Sequence, residues 1–87
     1  MRIVILYRPN AEFARQVEEF AHEIRTRHNV KCELVNMDTR DGIATASIYD
    51  IVEFPAIMAL REDSQISQLW TGSKLPLISE VASYVVN

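Results

Sequence analysis

The stretch Tyr49–Leu60, YDIVEFPAIMAL, decides the fold, because a helix ends and a strand begins within it. Pro55 lacks an amide hydrogen and has a fixed φ, so it fits neither a helix interior nor the middle of a central strand. The first position of a strand accepts it. Pro55–Leu60 is therefore predicted to be a strand. Upstream, DTRDGIATASIYDI holds a short helix from about Asp41 to Asp50, with Asp41 as its cap. Downstream, the polar turn REDS (Arg61–Ser64) leads to a further strand, Gln65–Trp70, and the pair reads as an antiparallel hairpin.

Working outward, RIVILY (Arg2–Tyr7) is aliphatic and β-branched on both faces, as in a strand covered on both sides. Pro9 and Asn10 break it, and Asn10 is a good N-cap for a helix starting at Ala11. From Ala11 to about Arg27, Phe13, Ala14, Val17, Phe20, Ala21 and Ile24 fall at helical spacing along one apolar stripe. Glu23 and Arg27 are spaced to pair on the opposite face. VKCELVNM (Val30–Met37) is a second strand, expected parallel to the first because a full helix separates them. After Gly72, LPLISEVASYVV (Leu75–Val86) is a closing helix with Pro76 in its first turn. The order is βαβαββα over residues 1–87, read as one domain. The two glycines, Gly42 and Gly72, are both expected at turns.

Composition narrows the function. The 87 residues are 48% hydrophobic and 24% charged, near the averages for a globular chain that folds without a metal or disulfide staple. The formal charge is −3, with both signs mixed, so neither a nucleic-acid backbone nor an anionic membrane is an expected partner. No apolar run approaches a membrane span of about 18 residues, and RIVILY is too short for a signal-peptide core. A cytoplasmic, reducing location is the expectation. Cys32 is the one cysteine, so no intramolecular disulfide and no thiolate zinc site can form.

Two segments, YDIVEFPAIMAL and LWTGSKLPLISEVASYVV, together with the element order, resemble the thioredoxin/glutaredoxin superfamily. They look most like its minimal members. The resemblance implies an α/β fold with a four-stranded mixed sheet flanked by three helices. Pro55 matches the family's cis-proline, so the Phe54–Pro55 bond is expected to be cis, and Gly72 matches the glycine before the last helix. In the family a dithiol motif joins the first strand to the first helix, where helix N–H groups lower the thiol pKa. Laid over YRPNAEFARQ (Tyr7–Gln16), that motif falls on Ala11-Glu12-Phe13-Ala14, give or take one residue, and no register supplies a thiol. The family pairs the backbone before the cis-proline with an extended peptide or glutathione, a small case of β-augmentation.

The resemblance thus implies a redox-inactive module that docks a protein or extended peptide. Its groove would be formed by Ala11, Phe13, Ala14, Phe54, Pro55, Thr71 and Gly72, with no cofactor. Phe54 has a second reading as plain packing over the alanines, and Trp70 as either core or an exposed patch. Two rival functions stand beside the groove: a scaffold that uses helix faces, and a glutathione- or thiol-dependent oxidoreductase working through Cys32. TGSKLP argues against glutathione, having one glycine and no aspartate where glutaredoxins place a glycine pair and an aspartate. Cys32, mid-strand beside Val30 and Leu34, reads as a small buried hydrophobe. His22 and His28 do not share a helix face and have no ligand partners at metal-site spacing, and Glu18 stands one turn from His22 as a candidate ion-pair partner. Ser73 and Ser79 have no histidine or lysine at a nucleophile spacing.

Overall fold

The computed structural model describes residues 1–72 and 74–85, so Ser73 and the end of the closing helix at Val86 lie outside the described residues. Its elements follow the expected order: β1 (Arg2–Tyr7), α1 (Ala14–His28), β2 (Cys32–Asn36), α2 (Arg40–Ile48), β3 (Ala56–Leu60), β4 (Ile66–Thr71) and α3 (Ile78–Ser83). The strands form one mixed sheet in the order β2-β1-β3-β4. β1 runs parallel to β2 and antiparallel to β3, and β3 and β4 form the hairpin.

The apolar runs occupy the centre of the sheet. β1 from Ile3 onward and all of β3 are buried. Alternate residues feed two cores. Ile3, Ile5, Tyr7, Ile57 and Ala59 pack against Ala14, Val17, Phe20 and Ile24 of α1 and Val81 and Ala82 of α3. Val4, Leu6, Ala56, Met58 and Leu60 pack against Ala46 of α2 and against Met37 and Ile51. Each fully buried aliphatic side chain contributes about 1.5–3 kcal/mol of transfer free energy. Six of the nine largest fully buried side chains, Ile3, Ile5, Leu6, Ile57, Met58 and Leu60, lie on β1 and β3.

Local hydrogen bonding moves several expected boundaries. Asn10 does not cap α1. The turn carbonyls of Arg8 and Ala11 accept from the Ala11 and Ala14 amides at 3.0 and 3.2 Å, and the helix starts only at Ala14, with Phe13 at the N-cap position and no side-chain cap. β2 is shorter than Val30–Met37, because the Val30 amide turns back to Ile24 O at the end of α1. Thr39, not Asp41, caps α2: its Oγ1 accepts from the Gly42 amide at 3.1 Å, which leaves Asp41 in the first turn where the helix dipole favours a carboxylate. Gly42 therefore sits inside a helix, not at a turn. Pro76 precedes Leu77, the N-cap residue of α3, so it lies outside the helix rather than in its first turn.

The hairpin carries a register shift between Ala59 and Leu60. One extra residue on β4 reverses which face its neighbours occupy. Ile66 is thereby placed on the α2 side, while Gln68 and Trp70, which strict alternation would put on its face, lie on the α1/α3 side. Trp70 is half-buried there. It meets Tyr84 edge to face at 5.4 Å and donates Nε1–H to Glu80 at 3.0 Å, so it is a packing residue with a satisfied polar tip.

Candidate functional site

β1 ends at Tyr7, and the chain then makes a tight turn through Arg8–Phe13 into α1. On the other side of the sheet's end, the segment Val52–Pro55 enters β3, with the Phe54–Pro55 peptide bond cis. Between these two crossings lies a cavity of about 360 Å³. Its α1 wall is Ala11, Phe13, Ala14 and Val17, its opposite wall is Val52, Phe54 and Pro55, and Tyr7 and Arg8 complete the lining. Five of the seven groove residues expected from the sequence come together here. Thr71 and Gly72 do not line the cavity; beside it, Thr71 pairs with Ala56, and the Gly72 amide donates to Pro55 O at 3.0 Å from a left-handed φ of 98°, a conformation that favours glycine.

Tyr7, Val17 and Val52 were not expected at the site. Val17 follows Ala14 by three residues and so shares its helix face, which is a readable signal. Val52 sits in an irregular segment and carries none.

The lining is apolar apart from a tyrosine and one cation. The Arg8 guanidinium lies 6.0 Å from the centre of the Phe54 ring, within range of a cation–π contact. Tyr7 is buried, and its hydroxyl donates to Glu18 Oε2 at 3.3 Å. Burial, the Glu18 charge and that hydrogen bond all hold its phenol above the usual tyrosine range. A tyrosine held protonated against a carboxylate is a structural donor rather than a nucleophile at neutral pH. Glu18 is thus committed to Tyr7, and no ion pair to His22 forms among the described residues.

Cys32 does not line the cavity. It opens edge strand β2 opposite Ile3, half-buried against the α1-side core. Burial pushes its thiol up to about 11, the opposite of what a thiol nucleophile needs. With one cysteine in the chain there is no dithiol. His22 and His28 are exposed, and among the described residues no three metal-ligating side chains gather. No described helix is long and apolar enough to cross a membrane. A second, more open hollow of about 430 Å³ lies between α1 and the residues leading into α3; its rim charges Glu23 and Arg27 already pair at 3.5 Å.

No protein-family model and no curated protein matches this sequence. Among solved structures, the chain is similar to thioredoxin 1 from the thermophilic eubacterium Thermosipho africanus, with a TM-score of 0.71 at 12% identity, covering 98% of this chain and 90% of that one. The chain has a thioredoxin-like α/β fold.

Proposed function

We propose that this protein is a redox-inactive thioredoxin-like binding module that docks an extended protein segment in the groove between Ala11–Ala14 and Phe54–Pro55. The observation that carries this reading is the apolar cavity itself, at the end of the sheet where alanines stand in the matched dithiol positions. Its backbone supports the same reading. Among the described residues, the Phe54 N–H and C=O make no hydrogen bond, so both are free to pair with an added strand. Specificity would come from apolar side chains entering beside Phe13 and Phe54. A thiol-dependent reaction finds no support in a half-buried cysteine on an edge strand, away from the cavity lining.

An NMR titration with an extended-peptide library tests this. The expected result is amide shifts at Ala11, Phe13, Ala14 and Phe54, and binding weakened about tenfold or more by Phe54→Asp, a loss of at least about 1.4 kcal/mol. Shifts confined to the outer faces of α1 and α3 would instead assign the chain a scaffold role and overturn the groove.

A further inference from the structure

The side of the sheet opposite α1 and α3 is covered by one helix of nine residues, whose exposed positions beyond the first turn are uncharged, with the exposed Arg40 one turn before them. Gly42 and Ala46 point into the core, which leaves Ile43, Ala44, Ser47 and Ile48 on the solvent side at i, i+4 spacing. Ile43 is 59% exposed, Ile48 76% and Val52, just beyond the helix, 82%. Isolated exposed aliphatics are ordinary, but three of the chain's most exposed ones on a single helix and its exit are not. A helix this short, about 14 Å long, gains nothing for itself by leaving two isoleucines in water.

The charges around this face specify what would cover it. Between Met37 and Gln65 stand six acidic side chains, Asp38, Asp41, Asp50, Glu53, Glu62 and Asp63, against two basic ones, Arg40 and Arg61. That is a net of −4, against −3 for the whole chain, so the remainder carries +1. Those six residues are exposed, and no ion pair among the described residues uses any of them. The hairpin carboxylates lie at the same end as α2's exit, since Tyr49 donates its hydroxyl to Ser64 O at 2.8 Å. A second copy of the chain would set this acidic rim against itself, which disfavours self-association.

We infer that the outward face of α2, centred on Ile43, Ala44, Ser47 and Ile48, is a docking surface for a basic amphipathic segment of another protein. The segment's apolar stripe covers the two isoleucines, and its lysine or arginine rim meets Asp41, Asp50 and the hairpin carboxylates. This is the helix-on-apolar-face mode of recognition, with charge setting the choice of partner. Of the residues named for this face only Val52 also lines the groove, and neither reading requires the other.

The test uses a synthetic amphipathic Leu/Lys peptide of about 14 residues, its Leu/Glu analogue, and a Ser/Lys analogue without the apolar stripe. The Leu/Lys peptide is expected to shift the amides of Ile43, Ala44, Ser47 and Ile48, with affinity falling as salt is raised. The two analogues are expected to bind at least about tenfold more weakly. The pairs Ile43→Ser with Ile48→Ser, and Asp41→Lys with Asp50→Lys, are each expected to weaken the Leu/Lys peptide about tenfold. All four positions are exposed, and near-UV dichroism from Trp70 reports that the fold is retained. Equal binding of the Leu/Glu peptide overturns the proposal. So do shifts centred on Ala11 and Ala14, which would put the peptide in the groove, and the absence of shifts at millimolar peptide. Concentration-dependent shifts at the same α2 amides without peptide would assign the face to a second copy and also overturn it.

Discussion

Gly42→Ala is expected to destabilise the protein by about 3 kcal/mol or more, although it replaces a poor helix former with the best one. On an exposed helix the change would stabilise by up to about 1 kcal/mol. Here a Cβ at position 42 would lie 2.1 Å from the Asn36 carbonyl oxygen, 2.8 Å from its carbon and 3.0 Å from Met37 Cα. All three are backbone atoms of the β2–α2 connection, which Thr39 anchors by accepting from the Gly42 amide and donating to Asn36 O. No side-chain rotation relieves such a contact, so α2 must move off the sheet and take Ala46 out of the core. The expected readout is a lower denaturant midpoint with an unchanged m-value and a melting temperature reduced by about 12 °C or more. Ala44→Gly, on the exposed side of the same helix, is the comparator and costs about 1 kcal/mol. A Gly42→Ala protein as stable as wild type would mean that α2 does not approach Asn36 this closely.

Alkylation of Cys32 in the folded protein at pH 7.5 is expected to be about 100-fold slower than that of a peptide cysteine. Burial pushes its thiol from the ordinary 9.0 to about 11, and two pH units remove two decades of reactive thiolate before any steric shielding is added. The same protein is expected to show no thiol-dependent disulfide reductase activity that Cys32→Ser removes. Reactivity at the rate of a free thiol would return Cys32 to consideration as a catalyst.

The raised pKa also sets a stability slope. The unfolded thiol ionises first, so the unfolded state binds fewer protons between pH 9 and 11, and stability falls as pH rises through that window. Tyr7, also raised, adds a loss of the same sign above pH 10. Denaturant melts across this range are expected to show the decline, and Cys32→Ser is expected to flatten its lower part.

The candidate site was legible only through the family resemblance, which matched particular residues of this sequence to the dithiol and cis-proline positions. Alanine at positions 11 and 14, phenylalanine at 13 and the Phe54–Pro55 pair are visible as letters, and those five residues line one cavity. Val52 could not be read as a wall residue, because an irregular segment carries no periodicity to say which way a side chain points. Thr71 and Gly72 were expected in the groove through the family resemblance; they pair with Ala56 and Pro55 and do not line the cavity.

The same division runs through the whole fold. Element type and order were determined by the sequence alone, since a strand's period of two and a helix's period of 3.6 survive any error of a residue or two at the ends. Exact boundaries and faces were decided only in three dimensions, where groups compete for the same partners. Turns closed by the Arg8 and Ala11 carbonyls hold the chain out of α1 until Ala14, past Asn10, and Thr39 caps α2 through the Gly42 amide two residues before the expected Asp41. One extra residue between Ile66 and Gln68 turns Ile66 toward α2 and leaves Trp70 toward α3. Gly42 reads as a turn in the sequence because only the close approach of the Asn36 carbonyl, a contact between elements, requires a residue without a Cβ inside that helix.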